Sequence, residues 1–278
     1  MSELRFSVLM SIYEKECPDF FDAALDSILI HQTRIPDEFI LICDGPLTPG
    51  LEAVIAKYLA MFPSLLKVFR LEENRGLGHA LNYGLDKCTC DWVARADSDD
   101  ICVETRFEEQ LRFLASYPDT DIVSSYIDEF REDPRSPERV KIMPTDHNGI
   151  LKMAKSRNPI NHMAVIFRKS VIEAAGSYLP LPYVEDYYLW VRTIAQGAKL
   201  ANIGQILVHA RIGNGMESRR GNPKQISGWR TINLFMLKKK MITVFDYLKN
   251  ICAVTAFVLF PAKAKQLLYR RILRFPVE

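Results

Sequence analysis

The chain predicts an α/β fold: a mostly parallel central sheet with helices on both faces, followed by a basic helical extension. Two patterns carry that reading. Short apolar runs alternate with amphipathic stretches through the first 130 or so residues, the signature of repeated βα units. Polar and acidic clusters follow those runs directly, where an open α/β sheet gathers its ligands. At 48% hydrophobic and 25% charged residues, the 278-residue composition is that of a soluble globular chain and excludes wholesale disorder.

In order, Phe6–Ser11 reads as a buried strand, and after Pro18 the residues Phe20, Phe21, Ala24, Leu25, Ile28 and Leu29 recur at helical spacing. Phe39–Cys43 is a second strand, stopped by Asp44-Gly45-Pro46. Leu51–Met61 is helical, Leu65–Leu71 a strand, Leu77–Leu85 helical and Trp92–Ala96 a strand ending at Asp97. Thr105–Tyr117 is then a helix and Asp121–Ile127 a strand. Beyond it, Phe130–Lys141 is a charged loop or hairpin. Helices follow near Gly149–Lys155, Lys169–Ala175 and Glu185–Gln196, with a strand at Ala164–Phe167. Leu200–Ile203 and Ile206–Ala210 are two short apolar runs that close this part.

The net charge of +2 conceals a division. Arg211–Glu278 holds 14 Lys/Arg against 3 Asp/Glu, leaving 22 against 31 in the residues before it. An acidic body of residues 1–221 and a basic helical region of 222–278 are therefore expected, the latter meeting an anionic surface. Lys238-Lys239-Lys240, the apolar run Ile251–Ala262 and the later face of Ala264, Leu267, Leu268, Ile272 and Phe275 suit a helix lying on anionic lipid, the alternative being a helical pair packed on the sheet. No recognised nucleic-acid motif is present, and the body is acidic, so nucleic acid is not an expected partner. The longest uncharged apolar run is too short to span a bilayer. The six cysteines form no CxxC pair and read as reduced structural thiols, which predicts a cytoplasmic setting; no signal peptide is evident.

Asp97-Ser98-Asp99-Asp100 is the sharpest cluster. Carboxylates packed this closely repel one another unless a cation neutralises them, and hard divalent ions take oxygen ligands together with substrate phosphate. The alternative is that one of them caps the helix at Thr105. Asn74-Arg75-Gly76-Leu77-Gly78 can offer backbone amides to an anion or be a plain turn; it lacks the third glycine of a dinucleotide fingerprint, and no Walker lysine motif exists. Glu185-Asp186 opens an aromatic-rich helix, either as dipole partners or as a general base whose pKa burial would raise.

Assembled, these residues resemble glycosyltransferase family 2, the inverting nucleotide-sugar transferases of GT-A fold, whose core is a Rossmann-like sheet. The resemblance covers roughly Phe6–Gly221 and is nearest to bacterial O-antigen and exopolysaccharide galactosyl- and glucosyltransferases. It rests on Ser7–Tyr13, the Asp44 turn, Asp97-Ser98-Asp99 and Glu185-Asp186 in that order. The resemblance implies that Asp44 accepts the uracil imide N–H within a nucleotide site that also includes Ser11, Tyr13, Glu14, Asn74, Gly76 and Asp97. Asp99, with Asp97, binds Mn²⁺ or Mg²⁺ on the diphosphate. Asp186 is the base, with Glu185 the runner-up, and Arg211, Arg219 and Arg220 fold over the diphosphate. Glu14 stands where Asn is frequent, and Asp44-Gly45 replaces the usual Asp-Asp-Gly. The implied reaction moves a hexose, galactose or glucose, from a UDP-sugar to a polyprenyl-diphosphate-linked saccharide acceptor at the cytoplasmic face of the inner membrane, with the protein peripheral. A catalytically silent assembly subunit and a sugar nucleotidyltransferase are the alternatives; the latter opens with a Gly-rich basic loop that Ser11–Glu16 is not.

Overall fold

The computed structural model describes residues 4–181, 183–213, 224–259 and 275–276. Its first half follows the βα alternation closely: β1 (Phe6–Ile12), α1 (Pro18–Leu29), β2 (Glu38–Cys43), α2 (Pro49–Met61), β3 (Leu66–Arg70), α3 (Leu77–Lys87) and β4 (Trp92–Ala96). β1 pairs in parallel with both β2 and β4, and β2 with β3. The period-2 pattern of β1 explains the layering. Phe6, Val8, Met10 and Ile12 enter the apolar layer under α1, α2 and the later helix Arg106–Ser116, whereas Leu9 enters the opposite layer under α3 and the helix Glu185–Ala195. Helices thus cover both faces, as the fully apolar burial of parallel strands requires.

After β4 come β5 (Ile101–Cys102), α4 (Arg106–Ser116), β6 (Ile122–Phe130), β7 (Arg139–Lys141), α5 (His147–Ala154), a 3₁₀ turn (His162–Ala164), β8 (Ile166–Arg168), α6 (Lys169–Ala174), α7 (Glu185–Ala195) and β9 (Leu200–Arg211). Here the pairing turns mixed. β8 inserts antiparallel between β4 and β6, β7 pairs antiparallel with β6, and β9 runs parallel to β6 along its whole length. The charged excursion after Phe130 is therefore a hairpin. The two apolar runs at 200–210 are one strand, broken in pattern by two successive register shifts opposite Ser125–Ile127, a bulged stretch that interrupts the alternation. β9 also pairs with β5, carrying its end at Arg211 back to the cluster that follows β4.

The extension forms α8 (Lys224–Lys238) and α9 (Val244–Leu259), and Phe275–Pro276 adds the short β10 beside β7. α8 packs on α7 through a third apolar cluster in which Ile232 and Met236 meet Val184, Tyr187 and Val191. α9 is tied to the body by Asn250, whose Nδ2 donates to the Lys155 carbonyl at 2.7 Å and to Asn233 Oδ1 at 2.8 Å. Of the expected helical face, Ala264, Leu267, Leu268 and Ile272 lie outside the described residues, and Phe275 stands in the strand β10 and not in a helix. No helix among the described residues is long and apolar enough to cross a membrane.

Candidate active site

The carboxyl ends of β1, β2 and β4, the loop before α3, and the start of α7 enclose a cleft of about 490 Å³. Ser11, Tyr13, Asp44, Asn74, Gly76, Asp97, Asp99, Glu185, Asp186 and Arg211 all line it, so residues up to 200 positions apart in the chain converge on one space. Glu14 is exposed and outside this lining, and Glu16 is the acidic residue of that loop that faces the cleft. Arg219 and Arg220 lie outside the described residues.

Asp44 sits at the end of β2 and is 4% exposed. Its Oδ1 accepts the Arg75 amide at 2.8 Å and its Oδ2 the Gly76 amide at 2.9 Å. The amides of Arg75 and Gly76 thus hold a carboxylate of the chain itself. Each oxygen keeps a second lone pair for a further donor. The turn demands glycine at position 45: its φ is +89°, and a Cβ there would stand 2.8 Å from the Asn74 nitrogen. The result is a rigid junction between the second βα unit and the third.

The Asp97–Asp100 cluster carries its own counter-charges. Arg95, 2% exposed inside β4, places Nη1 against the Asp97 carboxylate and lines the cleft floor. Asp100 does not cap α4, which begins after Thr105; its Oδ1 instead accepts the Arg211 amide at 2.8 Å. Burial, and then the charge of Asp99, push the Asp100 carboxyl well above its ordinary range. Arg211 closes β9. Its guanidinium donates from Nε to the Asp99 carbonyl at 3.1 Å and stacks on Phe20 and Phe130. It braces the acidic turn from a strand end. Asp97 and Asp99 present hard oxygen donors to the cleft, and the buried Asp100 Oδ2 has no hydrogen-bond partner. This donor set fits a divalent ion that completes its shell with substrate phosphate; among the described residues no group of three or more His, Cys, Asp or Glu side chains is gathered around one point.

Across the cleft, Glu185 and Asp186 open α7. Asp186 Oδ2 accepts Asn158 Nδ2 at 2.6 Å, and its Oδ1 accepts the Tyr187 amide at 2.7 Å. Burial raises its pKa, opposed by the Tyr187 amide, Lys141, Asn158 and Arg95. Glu185 is raised by burial as well, and its Oε2 lacks a hydrogen-bond partner. Tyr183, just before the helix, takes φ +73° and lines the cleft, the kind of strained backbone that persists where surrounding packing fixes it. His162 Nε2 meets the Tyr178 hydroxyl at 2.8 Å; burial and the Arg95 charge keep the ring neutral.

Arg95, His162 and Glu16 escaped the reading of motifs. Arg95 had one usable signal: a charge in the middle of the strand-like run Trp92-Val93-Ala94-Arg95-Ala96. A charge there is costly unless paired.

The profile described as "Glycosyl transferase family 2" matches residues 7–174. An uncharacterized glycosyltransferase of Haemophilus influenzae is 44% identical over 86% of each chain. The amylovoran biosynthesis glycosyltransferase AmsE of Erwinia amylovora is 38% identical over 96% of this chain and 98% of its own. The Escherichia coli UDP-Gal:alpha-D-GlcNAc-diphosphoundecaprenol beta-1,3-galactosyltransferase is 38% identical over 97% of each. Among solved structures, TarS of S. aureus superposes with a TM-score of 0.65 at 18% identity, covering 97% of this chain and 46% of TarS. The mannosyltransferase PcManGT of Pyrobaculum calidifontis, solved with GDP-Man and Mn²⁺, gives 0.64 at 18% identity over 96% of this chain and 75% of its own. These two likenesses agree with the expected GT-A fold. The profile match over more than half the chain, with near-full-length identities of 38%, shows that this chain belongs to glycosyltransferase family 2.

Proposed function

We propose that the chain transfers a hexose, galactose or glucose, from a UDP-sugar to a polyprenyl-diphosphate-linked saccharide during bacterial surface-polysaccharide synthesis. The observation that carries the reading is the opposition, across one cleft, of the Asp97/Asp99 pair and the raised-pKa Asp186. Near-full-length similarity to a galactosyltransferase named for a diphosphoundecaprenol-linked acceptor supports the substrate class.

The donor nucleotide lies along the strand ends, its base against Asp44 and its ribose and diphosphate toward Asp97 and Asp99. An acceptor hydroxyl enters from the α7 side. Asp186 takes the proton of that hydroxyl as its oxygen attacks the anomeric carbon, and the nucleoside diphosphate leaves from the opposite face with inversion. Bound at Asp97 and Asp99, Mn²⁺ or Mg²⁺ supplies positive charge against the departing diphosphate. Asn158 and the Tyr187 amide hold the two oxygens of Asp186, fixing the carboxylate toward the acceptor. Arg95 orients Asp97. A lipid-linked acceptor sets this work at the cytoplasmic face of the inner membrane, with the protein peripheral on an anionic surface.

A panel of nucleotide-sugars with Mn²⁺, read by thermal unfolding, tests the donor class. A cognate donor at a hundredfold over its Kd stabilises by about 2.7 kcal/mol. Absence of protection by every UDP-sugar, together with no transfer to a polyprenyl-diphosphate acceptor, would overturn the proposal.

A further inference from the structure

Among the described residues, the α8–α9 hairpin has one face fixed to the body and one left exposed. On α9 the fixed face is Asn250, Val254 and Val258, all 9% exposed or less, with Asn250 anchored to Lys155 and Asn233. That anchoring sets the rotation of the helix about its axis. Phe245, Leu248 and Cys252, spaced three and four apart, therefore form one outward stripe. Phe245 is 74% exposed, more than any other large apolar side chain among the described residues, and Val244 and Leu248 beside it are 61% and 55% exposed. On α8, Leu234 adds a fourth exposed apolar side chain. Cores do not spend large side chains this way; a contiguous patch signals a contact.

Charge identifies the contact. Residues 224–259 hold six Lys/Arg and one acid, Asp246, and that acid is occupied in capping Thr243 and pairing with Lys249. Lys238 ends α8, Lys239 and Lys240 follow in the turn that leads to α9, and all three are exposed. A second copy of the chain docking here would bring its own lysines into the same region, and lysine is depleted from such interfaces. Apolar side chains ringed by lysine match an anionic bilayer, whose headgroups neutralise the cations while its acyl boundary takes the rings and branched chains.

We propose that this hairpin seats the chain on an anionic lipid surface, with Phe245 and Leu248 entering the interface and Lys238–Lys240 against the headgroups. The proposal deepens the membrane attachment named above and rests on that reading. Its distinctive content is that the C-terminal helices both pack on the body and bind lipid, by opposite faces.

The test is co-sedimentation of the full chain with vesicles of phosphatidylglycerol and phosphatidylethanolamine containing no polyprenyl lipid, with UDP affinity measured in parallel. The Phe245→Glu/Leu248→Glu double variant should lower partitioning at least tenfold while UDP affinity holds. Lys238→Glu/Lys239→Glu/Lys240→Glu should remove the salt-sensitive part of binding. An environment-sensitive dye on Cys252, with Cys252→Ser as the control, should shift to the blue on vesicle addition. Wild-type protein that stays in the supernatant, or a double variant that pellets like wild type, would overturn the proposal. So would a dye shift that appears without vesicles and grows with protein concentration, which would mark an interface between copies. Unchanged UDP binding in any of these cases leaves the transferase reading standing, so the two failures are told apart.

Discussion

The two walls of the cleft use carboxylates in opposite ways. On the strand-end wall, Asp44 is held by two backbone amides and Asp97 by the buried Arg95. These contacts fix both carboxylates in place. On the α7 wall, burial raises Asp186 and Glu185, and the supporting hydrogen bonds only partly offset it. A carboxylate held high is one that can take and release a proton near working pH. One wall pins Asp44 and Asp97 by direct partners, and the other holds two carboxylates high by burial.

The largest effect belongs to Asp99→Asn. The amide keeps the shape and loses the anionic charge, so transfer should be abolished and the Mn²⁺ enhancement of UDP binding lost, measured by calorimetric titration with and without the ion. Undiminished enhancement would move the cation site off this wall. Asp186→Asn comes next: turnover should fall roughly 10²–10⁴-fold with donor affinity nearly unchanged, because the base acts on the acceptor. A parallel collapse of donor binding would erase the difference between the walls.

The strand-end wall was the more legible of the two in the sequence, for a physical reason. Parallel strands buried on both faces are written as continuous apolar runs, and each run stops where the chain meets solvent or ligand, so Asp44 and Asp97 stand at visible boundaries. Glu185-Asp186 was visible only as a helix start. What surrounds it was not, because Asn158 reaches Asp186 from a segment distant in sequence, and no local period records that. The same limit applies to Arg211. Its place in β9, stacked on Phe20 and Phe130, depends on the parallel ladder with β6 and on a bulge that breaks the alternation. Residues 101–102 pair as a strand through only two positions, too few to leave a pattern.

A smaller effect should appear in stability alone, at the far end of the same sheet. Glu38, 3% exposed on β2, is pushed up by burial, but Lys67, Ser7 and Thr89 outweigh this and bring it to about 2. A carboxylate lowered from 4.5 stabilises the fold above the unfolded value, and that contribution is lost as pH falls from about 4.5 toward 2. Glu38→Gln should cost about 2–3 kcal/mol in urea unfolding at pH 7. The cost should shrink toward zero near pH 2, with turnover per folded molecule unchanged. A loss of turnover at full stability would mean that the strand-end wall is not rigid but coupled to Glu38.

The smallest predicted effect probes the tuning of the α7 wall itself. Asn158 donates to Asp186 Oδ2, which favours the charged form and holds the pKa below where burial alone would put it. The other groups acting on that carboxylate are the Tyr187 amide, Lys141 and Arg95, which also favour the charge, and Glu185, whose own raised pKa is partly due to Asp186. Asn158→Ala removes one hydrogen bond and leaves the rest. A bond of this kind contributes about 1 kcal/mol, or somewhat more to a charged group, which corresponds to roughly one pH unit. The acid limb of the kcat profile should therefore move up by up to about one unit. Turnover on the acid limb should fall, and raising the pH should restore it, because ionised Asp186 is still present and in place. Donor KM should not move. Loss at every pH would show that Asn158 aims the carboxylate, leaving its pKa alone, and a shift of the limb in the opposite direction would show that Asp186 is not the group being titrated.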